Sequence, residues 1–191
     1  MEWCIPIQTF QIENVQLGSI TRSIKPIVPL AYKDSYFHFP SLSFLLPNLT
    51  VKSYDFATGR LVLSLAESIQ TLNKLQTLQD MLLSAVNANH TAWYNAKRKP
   101  QEVRAGFQPM ILNSELHLYC PLSATTAQPI PVYENAEWAK GPHRPGSLKS
   151  GKRVRVALRF HGISFHIHPV TGEWTGKFRI QHKIIGVIIG S

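Results

Sequence analysis

The most regular hydrophobic pattern in the chain begins after Lys152. Apolar residues there alternate with basic or small ones, Val154, Val156, Leu158 and Phe160 with Arg153, Arg155, Ala157 and Arg159. A repeat of two residues is typical of a β-strand that is buried on one side. The pattern therefore predicts a strand with one apolar face and one basic face.

A second strand of the same kind is predicted after a turn. Gly162 favours a bulge or bend, and beyond it Ile163, Phe165 and Ile167 alternate with Ser164, His166 and His168. Residues 169–172 favour a turn, after which Lys177, Arg179, Gln181 and Lys183 alternate with Phe178, Ile180 and Ile184. Paired antiparallel, the strands would present six cations on one side: Arg153, Arg155, Arg159, Lys177, Arg179 and Lys183. Like charges opposite one another destabilise a sheet, so we expect something anionic to offset that cost.

The rest of the chain predicts further strands and two helices. Short apolar runs broken by proline predict β-structure up to about residue 65, and the alternation over Ser114–Cys120 predicts one more strand. An apolar stripe predicts an amphipathic helix over Glu67–Asn89: Ile69, Leu72, Leu75, Leu78, Leu82 and Val86. A shorter helix should begin at Pro100 and end near Gly106. Residues 134–150 are expected to form a flexible basic loop.

The positive charge is concentrated near the carboxyl end. The chain has 191 residues and a formal net charge of +9, yet residues 1–139 hold as many acidic as basic residues. Residues 140–191 hold ten Lys or Arg and the single acid Glu173. A segment of this kind attracts polyanions, of which nucleic-acid phosphates are the commonest inside cells. The alternative is a face whose charges only improve hydration.

Composition narrows the class of protein further. With 44% hydrophobic and 16% charged residues the chain should fold, as one domain over residues 1–191. Its 2 cysteines, Cys4 and Cys120, offer neither a disulfide framework nor a paired zinc site. The first residues lack the basic start and apolar run of a signal peptide, and no apolar stretch reaches membrane-spanning length. We therefore expect an intracellular protein of a reducing compartment, with no membrane partner.

Aromatic residues near the basic strands are candidates for base stacking. A groove for single-stranded nucleic acid combines cations that follow the phosphates with flat rings on which bases stack. The candidate rings are Tyr119, Tyr133, Trp138 and Trp174, and the candidate polar contacts beyond the six strand cations are Lys140, Arg144, His161 and His166. Each ring taken alone could equally be a core or rim residue.

A metal site is the main alternative. His161, His166, His168, Glu173 and His182 supply ligand types, and the order of His166, His168 and Glu173 resembles the histidine-glutamate motif of cupins. The glycines that frame that motif are not at the expected places, and the nearby cations would repel a divalent metal. No phosphate-binding glycine loop, nucleophile elbow or His-Glu-x-x-His helix is present, so we expect no catalysis and no cofactor.

A third interpretation of the sequence is a basic structural protein of a virion that takes part in genome packaging.

The order of several short motifs resembles a known family. The motifs are Ala92-Trp93-Tyr94-Asn95, Pro100-Gln101-Glu102-Val103-Arg104, Phe107-Gln108-Pro109, Leu116-His117-Leu118-Tyr119, Ser150-Gly151-Lys152-Arg153-Val154, Phe160-His161-Gly162-Ile163 and Glu173-Trp174. Over residues 27–189 they resemble single-stranded-DNA-binding proteins of large eukaryotic DNA viruses and related mobile elements. Those proteins are similar in architecture to the replication protein of short-tailed phages that binds single-stranded DNA.

The resemblance implies a fold and a function. The fold would be mainly β, an OB-like antiparallel barrel of five or more strands with one long helix inserted between strands. The function would be sequence-nonspecific binding that coats and protects single-stranded DNA during replication or recombination. Independently of the resemblance, the predicted basic face places Arg155 and Arg179 among the contacts. RNA, replication proteins and a second copy of the chain stay open as further partners. The chain departs from the phage proteins because it ends in an apolar run instead of an acidic tail. We expect this run to form the last strand of the barrel and to be buried there.

Overall fold

The computed structural model describes residues 3–122, 130–134, 137–138 and 148–190. Strands account for 44% of the described residues and helices for 23%, so the fold is mainly β, as predicted. The strands are β1 Ile5–Pro6, β2 Val15–Leu17, β3 Ile27–Lys33, β4 His38–Phe39, β5 Leu42–Leu45, β6 Leu49–Asp55, β7 Arg60–Ser64, β8 Phe107–Gln108, β9 Ile111–Leu112, β10 Glu115–Tyr119, β11 Val132–Glu134, β12 Glu137–Trp138, β13 Arg153–Ile167 and β14 Trp174–Ile189. Two α-helices, α1 Ile69–Tyr94 and α2 Pro100–Gly106, follow β7, and short 3₁₀ turns span Ile7–Thr9 and Ile12–Asn14.

The two long strands β13 and β14 organise the sheet. They pair antiparallel over almost their whole length, with Arg159 opposite Lys183 and Ser164 opposite Arg179. The other edge of β13 pairs in turn with β6, β5 and β3, all antiparallel. The other edge of β14 pairs with β8 and β11, both parallel. The sheet is therefore mixed, whereas we expected an antiparallel one.

The expected closed barrel is not confirmed, because the sheet is open. Among the described residues the path of paired strands runs β12-β11-β14-β13-β6-β7-β10-β9, and no hydrogen-bonded register joins its two ends. Closure through β14 would need a free edge on that strand. β8 and β11 instead occupy parts of that edge, opposite Phe178 and Val187 respectively.

The core lies between the apolar face of the sheet and helix α1. Leu75, Leu78, Leu82 and Val86 of the predicted stripe are almost completely buried. Ile69 is 59% exposed instead, because Thr71, four residues before Leu75, continues the buried stripe at the start of the helix. The helix also runs five residues beyond the predicted Asn89 and stops where Asn95 adopts a left-handed φ of 51° and donates its N–H to the carbonyl of Thr91.

The structure also bears on the smaller predictions. Helix α2 begins and ends as predicted, and the register of the β13 pairing shifts between Phe160 and Gly162, where a bulge was expected. The apolar carboxyl end is buried in β14 through Ile184, Val187 and Ile189. Most of the loop predicted over 134–150 lies outside the described residues. No helix of the described part of the chain has both the length and the apolar character to cross a membrane.

Candidate nucleic-acid interface

The structure places the six strand cations on one face of the β13–β14 hairpin, here called the basic face. It consists of Arg153, Arg155, Arg159, Lys177, Arg179 and Lys183 and points away from the core. The residues between these cations, such as Val156 on β13 and Ile180 on β14, are buried. The face is continuous along both strands because of the bulge before Gly162. The extra residue of the bulge shifts the alternation of β13 by one position, so that Ser164 points to the same side as its partner Arg179, just as Arg159 does with Lys183.

The register arranges the outward residues in rows across the sheet. One row joins Arg179 of β14 to Ser164 of β13 on one side and to Gln108 of β8 on the other. A second row joins Arg155 of β13 through Ile188 to Tyr133 of β11. Side chains in one row are separated by about 5 Å per strand, so cations and hydrogen-bonding or aromatic groups lie within reach of one another.

The charges of the basic face differ in what neutralises them. Arg153 forms an ion pair of 3.2 Å with Glu67 and donates a hydrogen bond to the carbonyl of Asn48. In the part of the chain that the structure describes, no carboxylate oxygen lies within 4.0 Å of a side-chain nitrogen of Arg155, Lys177 or Arg179. Arg153 is therefore held by the protein itself, while Arg155, Lys177 and Arg179 have no carboxylate partner among the described side chains.

Of the candidate aromatic residues, Tyr133 lies on the basic face. Its neighbour Val132 is buried beside Val187, so Tyr133 points to the outer side, where it is 37% exposed. Tyr119 is more exposed but lies on β10, which has no register with β14. Trp138 pairs with Tyr133 through its backbone, while its side chain, together with Lys140 and Arg144, lies outside the described residues.

Trp174 was a predicted stacking residue, and the structure places it in the core instead. It is 5% exposed, its ring stacks on Tyr94 at 5.5 Å, and its indole N–H donates to the carbonyl of Lys177. The physical reason is the phase of the strand: Trp174 is four residues before the buried Phe178 and so shares its inward direction. As placed, its ring faces are not accessible to a base.

The histidines do not form the cluster that the cupin-like alternative requires. His166 is exposed on the outer side, with its Nδ1 3.0 Å from the hydroxyl oxygen of Thr175. His168 was expected to face the same way, but it follows the end of β13 and its Nδ1 accepts hydrogen bonds from two backbone N–H groups of the turn. Within the described residues, no group of three His, Cys, Asp or Glu side chains is arranged to hold a metal ion.

The remaining two histidines lie near the bulge. Both are half-buried, and His182 lies on the inner side opposite Phe160. Burial lowers the pKa of His182, and the nearby charges of Arg179 and His161 lower it further. His182 is therefore disfavoured as a cation, and it adds no contact to the outer face.

The structure adds three residues that the sequence did not indicate: Gln108 and Ser164 at the lower end of the basic face, near the turn, and Arg98 on the opposite side of β14. Gln108 and Ser164 flank Arg179, and a cavity of about 410 Å³ lies there, lined by Gln108, Ser164, Phe165, His166, Lys177, Phe178 and Arg179. The third, Arg98, lies behind β14, with its guanidinium 5.0 Å from the ring of Trp174. No local sequence signal pairs Gln108 with Arg179, because that pairing joins strands 71 positions apart.

No family model, curated protein or solved structure matches this chain. The geometry and charge of the basic face are therefore the basis on which a function can be assigned.

Proposed function

We propose that this protein binds single-stranded DNA without sequence specificity and coats it during replication or recombination. The observation that carries the proposal is the basic face, in which Arg155, Lys177 and Arg179 have no carboxylate partner among the described residues. A phosphate backbone supplies the repeated negative charge that such a face attracts, largely through release of counterions. The replication role is part of the proposal and follows from the motif resemblance.

The dimensions of the face suit an extended strand. Arg155 and His166 are eleven positions apart on β13, a length of about 35 Å at about 3.3 Å per residue. This is long enough to contact several nucleotides in a row. Between these ends, Arg159 and Lys183 continue the line of positive charge.

Tyr133 favours single strands over duplexes. Its ring lies in the same row as Arg155, two strands away, so one nucleotide could place its phosphate on the arginine and its base on the tyrosine. Only an unpaired base offers a free face for such stacking. The face also carries no helix or protruding ribbon in its described part that could enter a duplex groove.

An OB-like architecture is the finer part of the proposal. Helix α1 is inserted between β7 and β10, as in the family that the motifs resemble. Some Cα atoms of β10 and β14 approach within 8 Å, although no hydrogen-bonded register connects the two strands. The proximity of these two strands supports the OB-like part of the proposal.

Binding of single-stranded DNA should depend strongly on salt concentration. We expect the affinity for oligo-dT, measured by fluorescence anisotropy, to fall steeply between about 50 and 200 mM salt, with a slope of about −0.7 for each phosphate neutralised. Three or more contacts would give a slope of about −2 or steeper. A duplex of the same length and an oligo-U strand are measured in parallel. Equal affinity for duplex and oligo-dT would contradict the single-strand preference, and tighter binding of oligo-U would point to RNA.

A second prediction concerns stacking on Tyr133. Replacing Tyr133 with Ala should weaken binding to oligo-dT about tenfold, because stacking of a base on an aromatic ring is worth about 1–3 kcal/mol. Tyr133→Phe keeps the ring and should bind like the unaltered protein. Tyr36→Ala is the control, since Tyr36 is 88% exposed in the turn between β3 and β4. Equal effects of Tyr133→Ala and Tyr36→Ala would remove Tyr133 from the interface.

A further inference from the structure

We propose that the cavity at the lower end of the basic face, the end-phosphate pocket, binds the terminal phosphate monoester of a nucleic-acid strand. The pocket is lined by Gln108, Ser164, His166, Lys177 and Arg179. The inference rests on the proposed function, since it gives that function a preference for one kind of strand end.

The lining of the pocket fits a phosphate monoester better than an internal phosphodiester. Its side chains supply a guanidinium, an ammonium, an imidazole, an amide and a hydroxyl, and none of the lining residues is acidic. A phosphodiester carries one charge and two free oxygens, whereas a monoester carries up to two charges and three accepting oxygens. Donors gathered from three adjacent strands around a concavity match the second pattern.

Arg98 adds positive charge from behind the pocket. Its Nη1 lies 2.8 Å from where a Cβ would stand on Gly176, the residue before Lys177, so the guanidinium occupies the inner side of β14 at that point. Arg98 is half-buried, its Nε has no hydrogen-bond partner, and no carboxylate of the described chain pairs with it. A partly buried charge without a counterion raises the local potential more than an exposed one, because less water screens it.

The two ends of the basic face differ in the side chains that surround their arginines. At the upper end, Arg155 shares its row with Ile188 and Tyr133, which suits a base and one phosphate. At the lower end Arg179 shares its row with Gln108 and Ser164, and the sheet stops at the turn a few residues further on. A strand that follows the face from Tyr133 would reach its last phosphate in the pocket.

The test compares dodecamers of oligo-dT that carry an internal dye and differ only in their ends. The four probes have hydroxyl ends, a 5′-phosphate, a 3′-phosphate, or a methyl ester of whichever phosphate binds more tightly. We expect one of the two phosphorylated strands to bind at least fivefold more tightly than the hydroxyl-ended strand, which also fixes the polarity. The methyl ester has one charge fewer and should lose most of that gain.

Two matched variants locate the effect. Arg179→Gln should abolish the difference between phosphorylated and hydroxyl-ended strands, whereas Arg155→Gln should weaken all probes and keep the difference. Both side chains lie on the outer side of the sheet, and circular dichroism checks the fold. Equal affinity for all four probes would overturn the pocket while leaving single-strand binding in place, and so would a gain that survives Arg179→Gln. Absence of binding to every probe would overturn the proposed function itself.

Discussion

A protein that carries both Arg155→Glu and Arg179→Glu is expected to lose at least about a hundredfold in affinity for oligo-dT at about 0.1 M salt. Two unit charges 4 Å apart interact by about 1 kcal/mol in water, and reversal replaces an attraction with a repulsion of similar size. The two substitutions together should therefore cost about 4 kcal/mol. Neither arginine has a carboxylate partner in the described part of the chain, so the fold should persist, and anisotropy titration with a thermal melt measures both properties.

The control for this experiment carries the same change in net charge elsewhere. Lys97 and Arg104 are exposed at the helices, Lys97 between α1 and α2 and Arg104 on α2. A protein with Lys97→Glu and Arg104→Glu should bind oligo-dT within about threefold of the unaltered protein at the same salt concentration, because neither side chain belongs to the basic face and salt weakens charge effects from outside it. If the control loses as much affinity as the arginine pair, net charge and not the basic face governs binding. Unchanged affinity of the arginine pair would show that the face is not the interface.

Replacement of Gly162 with Ala is expected to destabilise the fold by about 3 kcal/mol, at the upper end of what overpacking costs. A Cβ on Gly162 would overlap the backbone carbonyl of Val28, which belongs to the neighbouring strand β3. Backbone cannot rotate away as a flexible side chain could, so β3 would have to separate from β13. Chemical unfolding followed by circular dichroism gives the free energy of unfolding.

Gly186→Ala provides the matched control on the partner strand. A Cβ there would meet its nearest atoms, in Ala157 and Pro131, at 3.9 Å, which is an ordinary van der Waals contact. We expect its free energy of unfolding to stay within about 0.5 kcal/mol of the unaltered protein. A similarly small effect of Gly162→Ala would mean that β3 does not pack against the bulge as the structure shows.

Local periodicity was sufficient to predict the elements that form the core of the fold. The two-residue alternation after Lys152 predicted β13, β14 and the direction of every cation on them, because alternation is fixed by strand geometry itself. The same rule, applied to Trp174, would have predicted its burial, since it is in phase with Phe178 and Ile180. The helix end at Asn95 was harder to locate, because the turn that stops α1 depends on one left-handed residue.

Pairing between distant segments could not be predicted in this way. β8 and β11 pair in parallel with β14 because of the path that the chain takes after the helices. No local sequence pattern predicts that path. These pairings keep the sheet open and create the rows in which Tyr133 and Gln108 join the arginines. The residues most informative about ligand chemistry therefore emerged only from the structure.

The long pairing of β13 with β14 has a consequence for the speed of recognition. Inter-strand hydrogen bonds set the spacing of the basic side chains before any ligand arrives, so only side-chain rotamers need to become ordered on contact. A preorganised surface of one sign also draws oppositely charged molecules towards it. Encounter with a strand should thus limit the association rate, and differences between strands should be expressed mainly in how long each stays bound.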